Sequence, residues 1–201
     1  AVPITVGATY INGITDPALF DELDLYVNAE VGTFAGFDVS LGYTHYLYPE
    51  ARGVFGTGFP QTQGFGELGV NVTRSLGIVD LAWQSNYALG GGGAAPSGWY
   101  HQLGVEKSFG ITDSISLVLG AGVAYTDGYY DYLGGAGSGW NHYYATASLP
   151  IQLNCRTTLT PYIGYNGAPD TWIADGLTTA PGVRQPQSDI LHGGVSLSVS
   201  F

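Results

Sequence analysis

From Leu191 onward the chain alternates with a period of two. Leu191, Gly193, Val195, Leu197, Val199 and Phe201 fall on one side; His192, Gly194, Ser196, Ser198 and Ser200 fall on the other. This predicts a β-strand with one apolar face that a core or a lipid must cover. The same alternation recurs upstream. Leu23, Leu25, Val27, Ala29 and Val31 oppose Asp24, Tyr26, Asn28 and Glu30, and Phe37, Val39, Leu41, Tyr43 and Leu47 oppose Asp38, Ser40, Gly42, Thr44 and Tyr46. Val79, Leu81, Trp83, Tyr87 and Leu89 oppose Asp80, Gln84 and Asn86. Between these the apolar set moves to even numbers, with Leu68, Val70 and Val72 set against Glu67, Asn71 and Thr73.

The pattern predicts strands at 3–11, 22–31, 36–47, 63–75, 78–89, 98–109, 114–126, 141–153, 157–165 and 189–201. Most are long enough for the ~9–11 residues that a tilted strand needs to cross a bilayer, whereas strands of soluble sheets average ~5–6. No helical period supplies a cover for the apolar faces, so lipid is the simplest cover.

The connections alternate as well. Short ones fall at 32–35, 76–77, 110–113 and 154–156; long ones fall at 12–21, 48–62, 90–97, 127–140 and 166–188. Short turns at one end and long loops at the other characterise outer-membrane barrels, whose short turns are periplasmic. The expected fold is therefore all-β: a transmembrane antiparallel up-and-down barrel forming one domain over 1–201, with both termini on the periplasmic side of a Gram-negative outer membrane. About ten strands are visible. No basic or apolar leader precedes Ala1, so a processed or truncated product is expected, and a missing N-terminal hairpin would make twelve strands.

Composition sharpens this picture. Charged residues are 10% of the chain, against ~25% in ordinary soluble domains, yet no apolar run approaches the ~20 residues of a spanning helix. The net charge of −11 removes nucleic acid as a partner, because binding phosphate needs clustered cations. The single cysteine, Cys155, excludes an internal disulfide and reads as a bystander in a turn. Arg74 and Lys107 fall on outward faces near the short turns, where a charge costs little, while mid-strand outward positions carry none.

Aromatic residues gather near strand ends. Tyr10, Tyr43, Tyr87, Trp99, Tyr125, Tyr143 and Tyr165 lie toward the long loops, and Phe37, Phe109 and Phe201 toward the short turns. Amphipathic rings at headgroup level would form two such girdles.

Particular residues add a resemblance. Glu22-Leu-Asp-Leu-Tyr-Val27, then Leu41-Gly-Tyr-Thr-His-Tyr-Leu-Tyr-Pro-Glu50, then Gly66-Glu-Leu-Gly-Val70 resemble the TorF-type porins, a family of bacterial outer-membrane β-barrels. The resemblance covers roughly 22–125 and implies a barrel in the outer membrane; the Arg-Gly hairpin usual upstream in that family is absent from this chain.

The polar face supplies the candidate chemistry. Asp24, Glu30, Asp38, Glu67, Asp80 and Glu106 point inward, and an acidic lumen behind a low-dielectric wall favours cations. Inward Gly42, Gly69, Gly104, Gly122 and Gly194 would leave space for water or a small solute, while Tyr26, Tyr46, Tyr100, Tyr144 and Tyr162 would narrow it. Lumen width grows with strand number, and about ten strands fall between a filled barrel and a wide porin. The four histidines lie near the long-loop ends, with His142 and His192 inward and His45 and His101 outward, and their spacing fits no metal or cofactor motif.

The expectation is thus a narrow porin or channel with an acidic, cation-preferring lumen, and not an enzyme. Outer-membrane lipids and small cations or solutes would be its partners, with a homo-oligomer or outer-membrane complex as a further association. The alternative is a structural barrel with a plugged lumen, whose Tyr- and Gly-rich loop at 127–140 docks partners.

Overall fold

The structure, a computed structural model, describes residues 2–11, 22–47, 64–90, 97–129, 137–169 and 189–200. The loop segments 12–21, 48–63, 91–96, 130–136 and 170–188, and Phe201, lie outside the described residues. Among the described residues, eleven strands run in chain order: β1 (Ile4–Ile11), β2 (Glu22–Phe34), β3 (Phe37–Leu47), β4 (Phe65–Ser75), β5 (Asp80–Leu89), β6 (Gly98–Gly110), β7 (Ser116–Asp127), β8 (Ser138–Ser148), β9 (Ile151–Asn154), β10 (Thr157–Gly167) and β11 (Asp189–Ser200).

Each strand pairs antiparallel with its neighbour from β1 to β8; β8 pairs with β10, β10 with β11, and β11 returns to β1. Ten strands thus close into a barrel, and closure leaves no ladder edge unpaired around the ring. The short β9 is the extra element, lying on β10 beyond the end of β8.

Sequence alternation treats 141–153 as one strand, but the structure divides it at Leu149-Pro150 into β8 and β9. Proline has no N–H to give to a ladder. The connection stays tied to its neighbours: Leu149 N donates to Pro161 O (2.9 Å), Ser116 N to Pro150 O (3.2 Å) and Gln152 N to Ser114 O (2.8 Å).

The first hairpin also differs from expectation. The turn expected at 32–35 is strand through Phe34, and the reversal is made by Ala35 and Gly36, both in the left-handed region (φ 52° and 81°). Two positive φ values match the twist of tight hairpins. The extra residue upstream is absorbed by a bulge between Glu30 and Gly32, which keeps Glu30 opposite Ser40 and Thr33 opposite Asp38 on the inner face.

The packing is inverted relative to a soluble domain. Leu41 is 50% exposed, and Leu25, Leu68, Leu103, Leu119 and Leu197 are exposed beside it on the outer face. The buried set is small and includes Glu67, Ser85, Asn86, Thr126 and Asn141. An apolar exterior of this extent requires lipid contact, because in water it would be a continuous aggregation surface.

Candidate functional site: the barrel lumen

The inner wall is built from the polar half of each alternation. Three cavities, of about 700, 380 and 350 Å³, lie within it. The largest reaches from Glu22 and His192 near the long-loop rim to Thr73 and Glu106 near the short turns. It shares Asn71 and Thr73 with the second, which is lined by Glu30 and Asp38 at the short-turn end, and shares Glu67 and Asn86 with the third.

The inward acids fall into two tiers. Near the long loops, Asp24 sits beside Glu22 and within electrostatic reach of Glu67. One Asp24 oxygen, Oδ1, is buried with no hydrogen-bond partner among the described residues. Near the short turns Asp80 is directly opposite Glu106, while Asp38 accepts a hydrogen bond from Thr33 and Glu30 borders the bulge. Glu22, in the cavity wall, was absent from the acids expected to matter; its parity is that of Asp24, but it stands at the predicted strand's first residue, where inward direction is least certain from sequence. Among the described residues, no Lys or Arg lines any of the three cavities.

Glu67 is the most enclosed of these acids, at 3% exposure. Tyr46 Oη donates to its Oε2 (2.8 Å), Asn86 Nδ2 donates to the same oxygen (3.0 Å), and the Tyr129 hydroxyl donates to Oε1. Tyr129 stands just past the end of β7, after Gly128 in the left-handed region (φ 69°). Its ring packs on Tyr100 (centroids 5.5 Å) and edge-on to Phe65 (6.4 Å), which itself stacks on Tyr46 (4.7 Å). The long-loop end of the lumen is therefore narrowed by rings gathered over a carboxyl group. Nothing in the alternation marks Tyr129, because it follows the last paired residue.

A second feature escaped the alternation. Asn141 should face outward, yet it is 2% exposed. Pairing between β7 and β8 shifts register between Val123 and Tyr125, so that Asn141 and His142 together oppose Ala124. This bulge puts two successive side chains on the inner side, and Asn141 Oδ1 meets His142 Nδ1 at 2.6 Å. His142 Nε2 lies 3.4 Å from Tyr100 Oη, which accepts from Gln102 Nε2 (2.9 Å). His192 lines the same cavity and packs edge-on to Tyr162 (6.2 Å).

The other two histidines are on the outer face. His45 Nδ1 meets Tyr43 Oη (3.1 Å), and His101 Nδ1 meets Ser85 Oγ (2.8 Å) between the rings of Trp83 and Trp99. Among the described residues, no group of three or more His, Cys, Asp and Glu side chains could hold a metal ion.

The inward glycines divide into two kinds: Gly42 and Gly69 line the cavity of about 350 Å³, as expected, while others make room for side chains lying along the wall. A Cβ on Gly7 would collide with the Tyr26 ring, and one on Gly104 with the Tyr144 hydroxyl. The first makes room for a tyrosine of the adjacent strand β2, the second for a tyrosine of β8, two strands away. Tyr26 crosses β1 in this way to hydrogen-bond Ser196 (3.3 Å) and Ser198 on β11. Gly7 and Gly104 thus let these tyrosines lie back against the wall, and the largest of the three cavities opens beside Glu106 and Asn71.

On the outer face, Tyr10, Tyr43, Tyr87, Trp99, Tyr125, Tyr143 and Tyr165 are all exposed. They pair across strands: Tyr87 with Trp99 (5.0 Å), Tyr143 with Tyr165 (6.2 Å), and Tyr125 with Trp140 (5.6 Å), a member that the alternation did not single out. At the short-turn rim the Arg74 guanidinium lies 4.8 Å from the Phe37 ring, and Lys107 Nζ donates to Gly77 O (3.5 Å).

No family model matches the chain. No curated protein matches it either. Among solved structures it is similar to a NanC porin, with 12% identity and a TM-score of 0.46, over 100% of this chain and 99% of that one. It is also similar to Salmonella typhi OmpF in complex with daunomycin (12% identity, TM-score 0.38), over 98% of this chain, which spans 57% of that chain's length. Outer-membrane-expressed OmpT of Vibrio cholerae gives 11% identity and a TM-score of 0.38, over 98% of this chain and 61% of that one. At these scores the barrel rests on this chain's own strand pairing.

Proposed function

We propose that this chain is a small outer-membrane barrel that acts as a narrow, cation-preferring channel and carries out no enzymatic step. One observation carries the reading: the cavities running along the inner wall are lined by Glu22, Glu30, Asp38, Glu67 and Glu106 and, among the described residues, by no Lys or Arg. A carboxylate ~5 Å from a passing ion, at an effective dielectric of ~20, contributes roughly 3 kcal/mol, attractive for a cation and repulsive for an anion. That is several times RT, so even a fraction of it biases permeation. Asp24 and Asp80 complete the two acidic tiers, and would act as selectivity residues with Glu30, Asp38, Glu67 and Glu106.

The outward aromatic residues serve, on this reading, as a girdle at the headgroup level, and outer-membrane lipids are the principal partners. The short turns face the periplasm, as do both termini. The resemblance of the region 22–125 to TorF-type porins supports the same location and transport class.

Conductance in planar bilayers under a salt gradient tests the proposal. The expected result is small discrete openings with a reversal potential of cationic sign, weakening as salt screens the acids. Conductance at background level, or anion preference, would overturn it. The position of Tyr129 over Glu67 favours a second reading, a lumen plugged from the long-loop side. A silent barrel that conducts only after Tyr129→Ala would favour the plug.

A further inference from the structure

We propose that the lumen holds a binding row for polyhydroxylated solutes, small sugars, formed by Asn71, Gln84 and Gln102 below the rings of Phe65, Tyr100 and Tyr129. The three amides lie side by side on consecutive strands, since Asn71 is directly opposite Gln84 and Gln84 directly opposite Gln102. At ~4.8 Å between strands the row spans ~10 Å. All three line the cavity of about 700 Å³, a size within the ~300–1,000 Å³ of small-molecule sites.

Each amide is anchored through its nitrogen. Asn71 Nδ2 donates to Ser40 Oγ (3.5 Å), Gln84 Nε2 to Asn86 Oδ1 (3.3 Å) and Gln102 Nε2 to Tyr100 Oη (2.9 Å). None of their carbonyl oxygens accepts a hydrogen bond among the described residues, and every amide nitrogen keeps a second hydrogen. The row therefore presents acceptors and donors in alternation. A metal cation needs acceptors alone, whereas a hydroxyl both donates and accepts. A sugar ring also has a flat C–H face, which suits the rings of Phe65, Tyr100 and Tyr129 that line the same cavity. Anchored amides lose little rotational freedom on binding, which favours recognition over mere passage.

The inference depends on the channel reading only for the solute's route to the row, so binding is measured apart from conduction. The folded full-length chain in detergent would be titrated with maltose, with tetramethylammonium and with a polyethylene glycol of similar size, using saturation-transfer NMR. Maltose is expected to bind while the polyether does not. Asn71→Ala/Gln84→Ala/Gln102→Ala should weaken maltose binding about tenfold or more, through three lost hydrogen-bonding groups. Ser196→Ala, on the opposite wall, should leave it within about twofold, the size of a ~0.4 kcal/mol change. Heat-modified gel migration would confirm folding of each variant, and Gln84→Leu alone replaces the triple variant should that one not fold. Maltose binding without conductance would reject the channel and leave the row standing. Conductance with no maltose binding, equal binding of the polyether, preference for tetramethylammonium, or binding indifferent to the amide substitutions would overturn the row.

Discussion

Replacing Leu41 by arginine tests the direction in which the apolar face points. Leu41 is half exposed on the outer wall, with Ala29 and Val70 opposite it on the neighbouring strands. Its strand has 11 residues; at ~3.3 Å per residue and ~40° tilt a strand of this length rises ~28 Å, close to the ~25 Å apolar band of such barrels. Leu41 stands four residues along from Phe37, so its Cα is ~10 Å above the short-turn rim and near the middle of the band. An arginine there costs ~2–4 kcal/mol, while the same residue near an interface costs ~0–1. The folding equilibrium into lipid vesicles, followed by urea titration, should fall by a factor of ~30–1,000 for Leu41→Arg. Leu76→Arg, in a short turn, is the control and should change it less than about fivefold. Were the apolar face in water, an exposed Leu→Arg change would stay within ~0.5 kcal/mol at either position. Equal, small effects at the two sites would refute the lipid-facing wall.

Other consequences follow from the same geometry. Glu67→Ala removes the acceptor of Tyr46, Asn86 and Tyr129, and should lower stability by at least about 2 kcal/mol, because each buried donor left unpaired costs ~1–3; an unchanged urea midpoint would contradict its role as the hub of the upper lumen. Tyr129→Ala should raise single-channel conductance, since that ring packs on Tyr100 and Phe65 across the narrowed end; an unaltered current would show that the constriction lies elsewhere. A Cβ on Gly122 would lie 2.7 Å from the Cα of Gly104 on the next strand, so Gly122→Ala should cost ~1–3 kcal/mol through a backbone shift, measurable as a lower heat-modification temperature. Trp83, Trp99 and Trp140 are exposed on the outer wall, so brominated phospholipids should quench most of the tryptophan emission of the reconstituted barrel, and protection from quenching would place these rings against protein.

The period of two was enough to read the class of fold, because in a barrel each side chain has only two environments and the alternation records both. Leu25, Leu41, Leu119 and Leu197 point outward and Glu67, Asn71 and Gln84 line the lumen, as their parity requires. Parity failed where backbone geometry departs from the regular pleat. The bulge at Asn141 and His142 shifts register by one residue and brings an expected outward side chain inside. Pro150 divides one apparent strand into two because a missing N–H interrupts a ladder without altering hydropathy.

What the chain determined by itself is which residues meet lipid and which meet water, since transfer free energy belongs to each side chain alone. Only the closed barrel decided which inner residues meet one another. Register across strands aligns Asn71, Gln84 and Gln102, gathers Tyr46, Asn86 and Tyr129 around Glu67, and seats Tyr26 over Gly7. Those meetings depend on the lengths of turns and the placing of bulges, which carry no hydrophobic signal, and on curvature that brings side chains of distant strands into one lumen.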